Sequence, residues 1–132
     1  MAIGEICNRE VVYVNRDVTV NAACKLMRHY HVGSLVVVDE IDGKRVPAGI
    51  LTDRDIVIEI DATDLDPRVI TVGDIMLPEL VTVPENQGVL ETIEIMRAKG
   101  VRRVPIVDGE SRLIGIVTID DLLEVLAEEL TD

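Results

Sequence analysis

Gly49-Ile50-Leu51-Thr52-Asp53-Arg54-Asp55 and Gly115-Ile116-Val117-Thr118-Ile119-Asp120-Asp121 are two versions of one phrase. In each, an apolar run ends at a threonine and a carboxylate follows three residues later. The run reads as a buried strand, and Thr-x-x-Asp reads as the start of a helix, where hydroxyl and carboxylate cap free backbone N–H groups. Outward from this phrase the whole chain duplicates. At an offset of 69 residues, 11 of 39 positions are identical, among them Gly4 and Gly73, Val12 and Val81, Met27 and Met96. Over the phrase itself the offset is 66 and 4 of 7 positions match, because the first copy holds three extra residues near Asp42-Gly43. Identity at this level with the apolar rhythm preserved is an internal repeat.

Each copy reads as β-α-β-β-α. An extended stretch leads, at residues 11–14 and again at 80–83. A helix follows, with Val20, Ala23, Cys24 and Met27 on one face of the first copy and Val89, Ile93 and Met96 on one face of the second. Asp17 and Asn86 are the expected N-caps, and Lys99-Gly100 is an expected basic last turn with a left-handed stop. A buried strand comes next, at 35–38 or 104–107, then a turn at Asp42-Gly43 or Asp108-Gly109. The second strand, 48–51 or 113–117, leads into a closing helix over about 53–60 or 119–130. The expected organisation is repeat 1 at 1–60, a polar linker at 61–68 that carries Pro67, and repeat 2 at 69–132.

The 132 residues contain no Phe or Trp and only Tyr13 and Tyr30 as aromatics, so the core is aliphatic. A repeat of about 60 residues sits near the lower limit for an independent core. The expectation is therefore one α/β module of two β-α-β-β-α repeats, packed through their sheets with pseudo-two-fold symmetry. Such packing makes two equivalent clefts, the usual place for a small molecule. The net charge of −12 disfavours nucleic acid and anionic membrane surfaces, and stacking platforms for single strands are missing. No apolar stretch is long enough to span a bilayer and no leader is visible, so a cytoplasmic address is expected. Cys7 and Cys24 lack CxxC spacing and read as small buried thiols.

Thr-x-x-Asp admits two roles. It caps a helix, and it also presents a hydroxyl and a carboxylate suited to the vicinal hydroxyls of a ribose. The two roles can coexist, and the motif by itself does not choose between them. Catalysis and metal binding find little support. His29 and His31 lie two apart and so face different ways on a helix, and Ser34 and Ser111 lie in no nucleophile elbow. The acidic residues of 120–129 read as a solvated helix face beneath Leu122, Leu126 and Leu130.

Gly-Ile-Leu-Thr-Asp-Arg-Asp-Ile at 49–56, Val72-Gly73-Asp74-Ile75-Met76, and Gly100-Val101-Arg102-Arg103-Val104-Pro105-Ile106-Val107-Asp108 together resemble the CBS domain, named for cystathionine β-synthase. The resemblance runs over nearly the whole chain, in two tandem copies, as in a stand-alone CBS pair or Bateman module. It implies a non-catalytic regulatory module that binds AMP, ADP or ATP, and in some members S-adenosylmethionine or NAD. It also implies a homodimer in which two pairs form a disc, and a regulated partner protein that the sequence does not specify.

Carried over residue by residue, the resemblance implies two sites. In the first, Thr52 and Asp55 hold ribose, Met76, Leu80, Val81 and Val101 line the adenine, and Arg54, Arg102 and Arg103 meet phosphate. In the second, Thr118 and Asp121 stand with Cys7, Val11, Val12 and Val32. There Gly33 and Ser34 replace the arginine pair, and Asp120 replaces Arg54. Arg102 and Arg103 read either as solvated side chains or as a phosphate contact, and the pattern favours phosphate. The first site therefore suits a phosphorylated ligand, and the second a less charged one or none. The alternative to a sensor is a ligand-free scaffold that keeps the CBS-pair fold for protein interaction.

Overall fold

The computed structural model describes residues 1–76 and 80–131; residues 77–79 and 132 lie outside the described residues. The chain forms two compact units, Val12–Leu80 and a second made of Met1–Val11 with Val81–Asp132. Repeats 1–60 and 69–132 are thus units of sequence, and the units of packing differ from them.

In the unit Val12–Leu80, β1 (Tyr13–Asn15) runs parallel to β2 (Ser34–Ile41), which pairs antiparallel with β3 (Lys44–Thr52). The β2–β3 turn has positive φ at both central residues, 51° at Asp42 and 75° at Gly43. That is the type I′ geometry whose twist suits a two-residue hairpin, and the β2–β3 pairing shifts register once, between Val37 and Val38. Helix α1 (Val20–Tyr30) lays Ala23 and Met27 on the core with Val14, Leu35, Val37 and Leu51. The expected cap Asp17 gives way to Thr19. Thr19 directly precedes the first helical residue, and its hydroxyl accepts the Ala22 N–H at 3.2 Å. Two short helices complete the unit, α2 (Asp53–Ile56) and α3 (Val72–Ile75).

In the other unit, β4 (Val83–Pro84) runs parallel to β5 (Arg103–Val107), and β5 pairs antiparallel with β6 (Leu113–Thr118). Helices α4 (Val89–Lys99) and α5 (Ile119–Thr131) bury Met96 and Leu122 with Ile3, Val83, Val104, Ile106 and Val117. Gly88 takes the N-cap position expected of Asn86, and Gly100 ends α4 at φ 67°, the expected left-handed stop. The turn expected at Asp108-Gly109 is a wider loop. Asp108 N–H donates to the Arg112 carbonyl at 3.0 Å, its carboxylate accepts from Glu110 N, Arg112 N and Arg112 Nε, and the positive φ falls on Ser111. The Asp108 side chain supplies the hydrogen bonds that a tight glycine turn would otherwise provide.

Each unit borrows the opening segment of the other repeat. In Val12–Leu80, Val72 N donates to Val18 O at 2.8 Å and Gly73 N to Arg16 O at 2.9 Å. In the other unit, Ile3 N donates to Gln87 O at 2.7 Å and Gly4 N to Glu85 O at 2.9 Å. These pairs are equivalent under the 69-residue offset, so the duplication extends to the hydrogen bonds. Ile3 and Val72 are each fully buried by this docking. The glycine that follows each has little room: a Cβ on Gly4 would stand 2.8 Å from Glu85 Cβ and 2.9 Å from Glu85 O, and one on Gly73 3.1 Å from Arg16 Cβ.

Gly4→Ala is expected to cost about 1–3 kcal/mol by this overpacking, and Gly73→Ala less, read as midpoint shifts in urea unfolding. Three carboxyls are also held below their ordinary range: Asp108 by backbone N–H donation from Arg112, Asp39 by its hydrogen bond from Arg16, and Asp74 by that from Thr71. A folded pKa below the unfolded one contributes stability that is complete above about pH 4 and is lost as pH falls through the folded value. Acid titration of stability should therefore fall less steeply below about pH 4 in Asp108→Asn than in the parent.

Candidate functional site

Both Thr-x-x-Asp phrases form reciprocal capping boxes. Thr52 N donates to Asp55 Oδ2 at 2.9 Å, and Asp55 N donates to Thr52 Oγ1 at 3.1 Å. The second copy has the same distances, Thr118 N to Asp121 Oδ2 at 2.9 Å and Asp121 N to Thr118 Oγ1 at 3.1 Å. The capping role is therefore filled in both copies. It uses only one carboxylate oxygen, so Oδ1 of Asp55 and of Asp121 has no protein partner among the described residues. Each threonine hydroxyl accepts one bond and keeps its proton free to donate.

The helix start is tied to the strand that opens beside it. Asp53 N donates to Gly33 O at 2.9 Å, and Ser34 stands opposite Thr52 in the β2–β3 register. In the other unit Ile119 N donates to Arg102 O at 2.9 Å, and Arg103 stands opposite Thr118. Backbone bonds thus bring Gly33 and Ser34 to Thr52 and Asp55 in one unit, and Arg102 and Arg103 to Thr118 and Asp121 in the other. Thr52, Asp55, Ser34, Arg103, Thr118 and Asp121 are half-buried, while Arg54, Gly33 and Arg102 are exposed. Arg54, Arg102 and Arg103 make no ion pair among the described residues.

The groupings expected from the resemblance are not those of the units: Arg102 and Arg103 are expected with Thr52 and Asp55 but stand in the unit of Thr118 and Asp121, and the apolar residues expected at each site are divided between the two units. Val12, Val32 and Met76 pack, partly buried, against the core of Val12–Leu80, whose last residue Leu80 is half-buried. Cys7, Val81 and Val101 pack in the same way on the core of the other unit, where Val11 is half-buried. Burial pushes the Cys7 thiol upward, against the opposing pull of Arg9, so it stays protonated and behaves as an apolar group. Sequence reading missed what Cys7 and Asn8 do. Asn8 and Ile116 exchange two backbone bonds at 2.9 Å, and a Cβ on Gly115 would meet Cys7 Sγ at 2.6 Å and Asn8 O at 2.9 Å. The signal was Gly115 itself, since glycine inside a strand marks a close backbone approach.

Two matches to the CBS domain family cover residues 3–62 and 72–128. The chain belongs to the CBS domain family. A CBS pair of this kind is 38% identical over 125 residues to an uncharacterised protein of Methanopyrus kandleri, covering 95% of this chain and 62% of that one. The chain thus spans less than two thirds of that relative. It is 37% identical over 124 residues to hypoxic response protein 1 of Mycobacterium tuberculosis, covering 94% of this chain and 84% of that protein. A crystal structure of hypoxic response protein I with two coordinated zinc ions has a TM-score of 0.81 at 35% identity, over 94% of this chain and 98% of that one. The CBS pair of protein MJ0100, solved in complex with 5′-methylthioadenosine and S-adenosyl-L-methionine, has a TM-score of 0.82 at 24% identity and shares the fold over 98% of both chains. Two three-stranded sheets with their helices are the α/β architecture of this family. The family matches include no catalytic domain. Among the described residues no helix is long and apolar enough to cross a membrane.

Thr52→Ala and Thr118→Ala each remove a cap and should each destabilise by about 0.5–2 kcal/mol. Thermal unfolding of the two single variants checks this, with a comparable loss expected because the two boxes have the same geometry.

Proposed function

We propose that this CBS pair is a non-catalytic regulatory module that binds an adenosine nucleotide and signals by a change of conformation or of dimer arrangement. The observation that carries the reading is the capping box that leaves Asp Oδ1 unpaired, built twice at equivalent strand–helix junctions. A carboxylate oxygen and a hydroxyl proton at such a junction match the acceptor and donor needs of ribose hydroxyls. One nucleotide is held by Thr52 and Asp55 at its ribose and by Met76, Leu80, Val81 and Val101 at its base. Arg54, Arg102 and Arg103 meet its phosphates. Among the described residues these guanidinium groups have no carboxylate partner, and phosphate is the bidentate partner that suits them.

The second ligand position uses Thr118 and Asp121 with Cys7, Val11, Val12, Val32, Gly33 and Ser34. At this position Asp120 stands in place of Arg54, and Gly33 and Ser34 are the assigned counterparts of the arginine pair, so it takes a less charged adenosine compound, S-adenosylmethionine among them, or stays empty. NAD belongs with the phosphorylated candidates for the first position. The module works as a cytoplasmic homodimer, and a partner protein reads its state. Only a ligand with different affinity for the two states can transmit such a signal.

With two tyrosines and no tryptophan, the protein contributes little absorbance at 260 nm, and a co-purified nucleotide would stand out. The test is calorimetry on stripped protein with AMP, ADP, ATP, NADH, S-adenosylmethionine and adenosine. Arg103→Ala is expected to weaken AMP binding by about ten- to 150-fold with adenosine unaffected, while Asp55→Ala weakens both. Absence of heat across the panel at millimolar ligand overturns the sensor and leaves the scaffold.

A further inference from the structure

The first repeat closes differently from the second. Helix α5 is an unbroken α-helix over Ile119–Thr131, whereas α2 ends at Ile56 and continues as a π-turn, Val57–Asp61. Wide five-residue bonds shape the chain beyond Ile56: Ala62 N donates to Val57 O at 2.9 Å and Leu65 N to Ile60 O at 3.1 Å. Asp64 then takes a left-handed φ of 59°, and the chain returns to α1, where Asn21 N donates to Pro67 O at 2.9 Å. Interruptions of this kind inside helices occur frequently at functional positions.

The returning loop borders an open pocket of about 380 Å³, with Asp61, Asp64 and Leu65 exposed at its rim, that lies wholly within the unit Val12–Leu80. Its apolar wall is Ile56, Ile60 and Leu65 with the Cys24 thiol, which burial keeps protonated and uncharged. Asp61 and Asp64 line it as well, and neither has an ion pair among the described residues. None of these residues belongs to the nucleotide positions assigned above.

We infer that this pocket binds a small organic cation, with its apolar body on Ile56, Ile60 and Leu65 and its amine or amidine on Asp61 and Asp64. The chemistry selects that class. An anion, nucleotides included, meets two carboxylates. A neutral apolar molecule would strip water from them without replacing its hydrogen bonds. A bare divalent cation needs six or more oxygen ligands and would gain nothing from the aliphatic wall. A cation with an apolar body satisfies both surfaces, and the net charge of −12 enriches cations near the protein.

Two probes of the same shape separate charge from fit: benzamidine, cationic at neutral pH, and benzamide, which is neutral. Amide resonances of the nucleotide-free, full-length protein are followed as each is added. Benzamidine is expected to move Cys24, Ile60, Asp61 and Leu65 along saturable curves, with benzamide at least about tenfold weaker because charge-assisted bonds are lost. Asp61→Asn combined with Asp64→Asn should cost benzamidine the same factor. Asparagine tolerates the left-handed backbone at position 64, so the fold is kept. Equal responses to the two probes overturn the inference, as does a benzamidine response that survives the double substitution or spreads without saturation over the acidic face of α5. Neither arm contains nucleotide, so failure here is distinguishable from failure of the nucleotide reading.

Discussion

A helix that begins at the end of a half-buried strand has N–H groups that must find acceptors, because unpaired backbone donors away from water are costly. The rest of this structure depends on how that demand is met. At each junction one N–H goes to the carbonyl of the neighbouring strand entry, Gly33 or Arg102, and a second goes to a threonine hydroxyl. The aspartate carboxylate turns back to the threonine N–H. This fixes strand, helix and strand entry as one rigid corner, and it leaves a polar edge with spare acceptor and donor capacity. Stability and ligand chemistry are therefore drawn from the same few atoms.

The second organising feature is exchange. Neither repeat completes its own core, since Val72 fills the core under α1 and Ile3 fills the core beside α4. The docking segments are short helical turns that rely on backbone hydrogen bonds at close quarters, which is why Gly4 and Gly73 recur at equivalent positions. Repeats of this size bury too little surface alone. Borrowing a segment enlarges each core and makes the two halves of the sequence depend on each other for folding.

Duplication supplied two similar corners, and later divergence made them unequal. The strand entry of the second repeat carries Arg102-Arg103 where the first has Gly33-Ser34, and α2 carries Arg54 where α5 has Asp120. The backbone bonds at the two corners agree in pattern and length, so the difference is one of charge. A further inequality is the π-turn after α2, which bends the chain back on α1 beside a pocket, whereas α5 runs as one α-helix from Ile119 to Thr131.

Much of the architecture was legible without coordinates, for physical reasons that are local or periodic. The apolar rhythm, the repeat offset, the two Thr-x-x-Asp boxes, the Asp42-Gly43 hairpin and the Gly100 stop each depend on residues close in sequence. The helix caps were read two residues early, because Asp17 and Asn86 cap well in principle, while the chain's path placed Thr19 and Gly88 at the boundary. The turn at Asp108-Gly109 opened into a loop because a carboxylate with three donors outcompeted the glycine. The exchange of segments, the pass of Cys7 beside Gly115, and the pocket walled by Cys24 and Leu65 all join residues far apart along the chain. The sequence by itself determined the repeat, the fold family and the chemical groups available. Only the tertiary structure decided which of those groups share a body, because long-range backbone pairing and close packing leave no periodic trace.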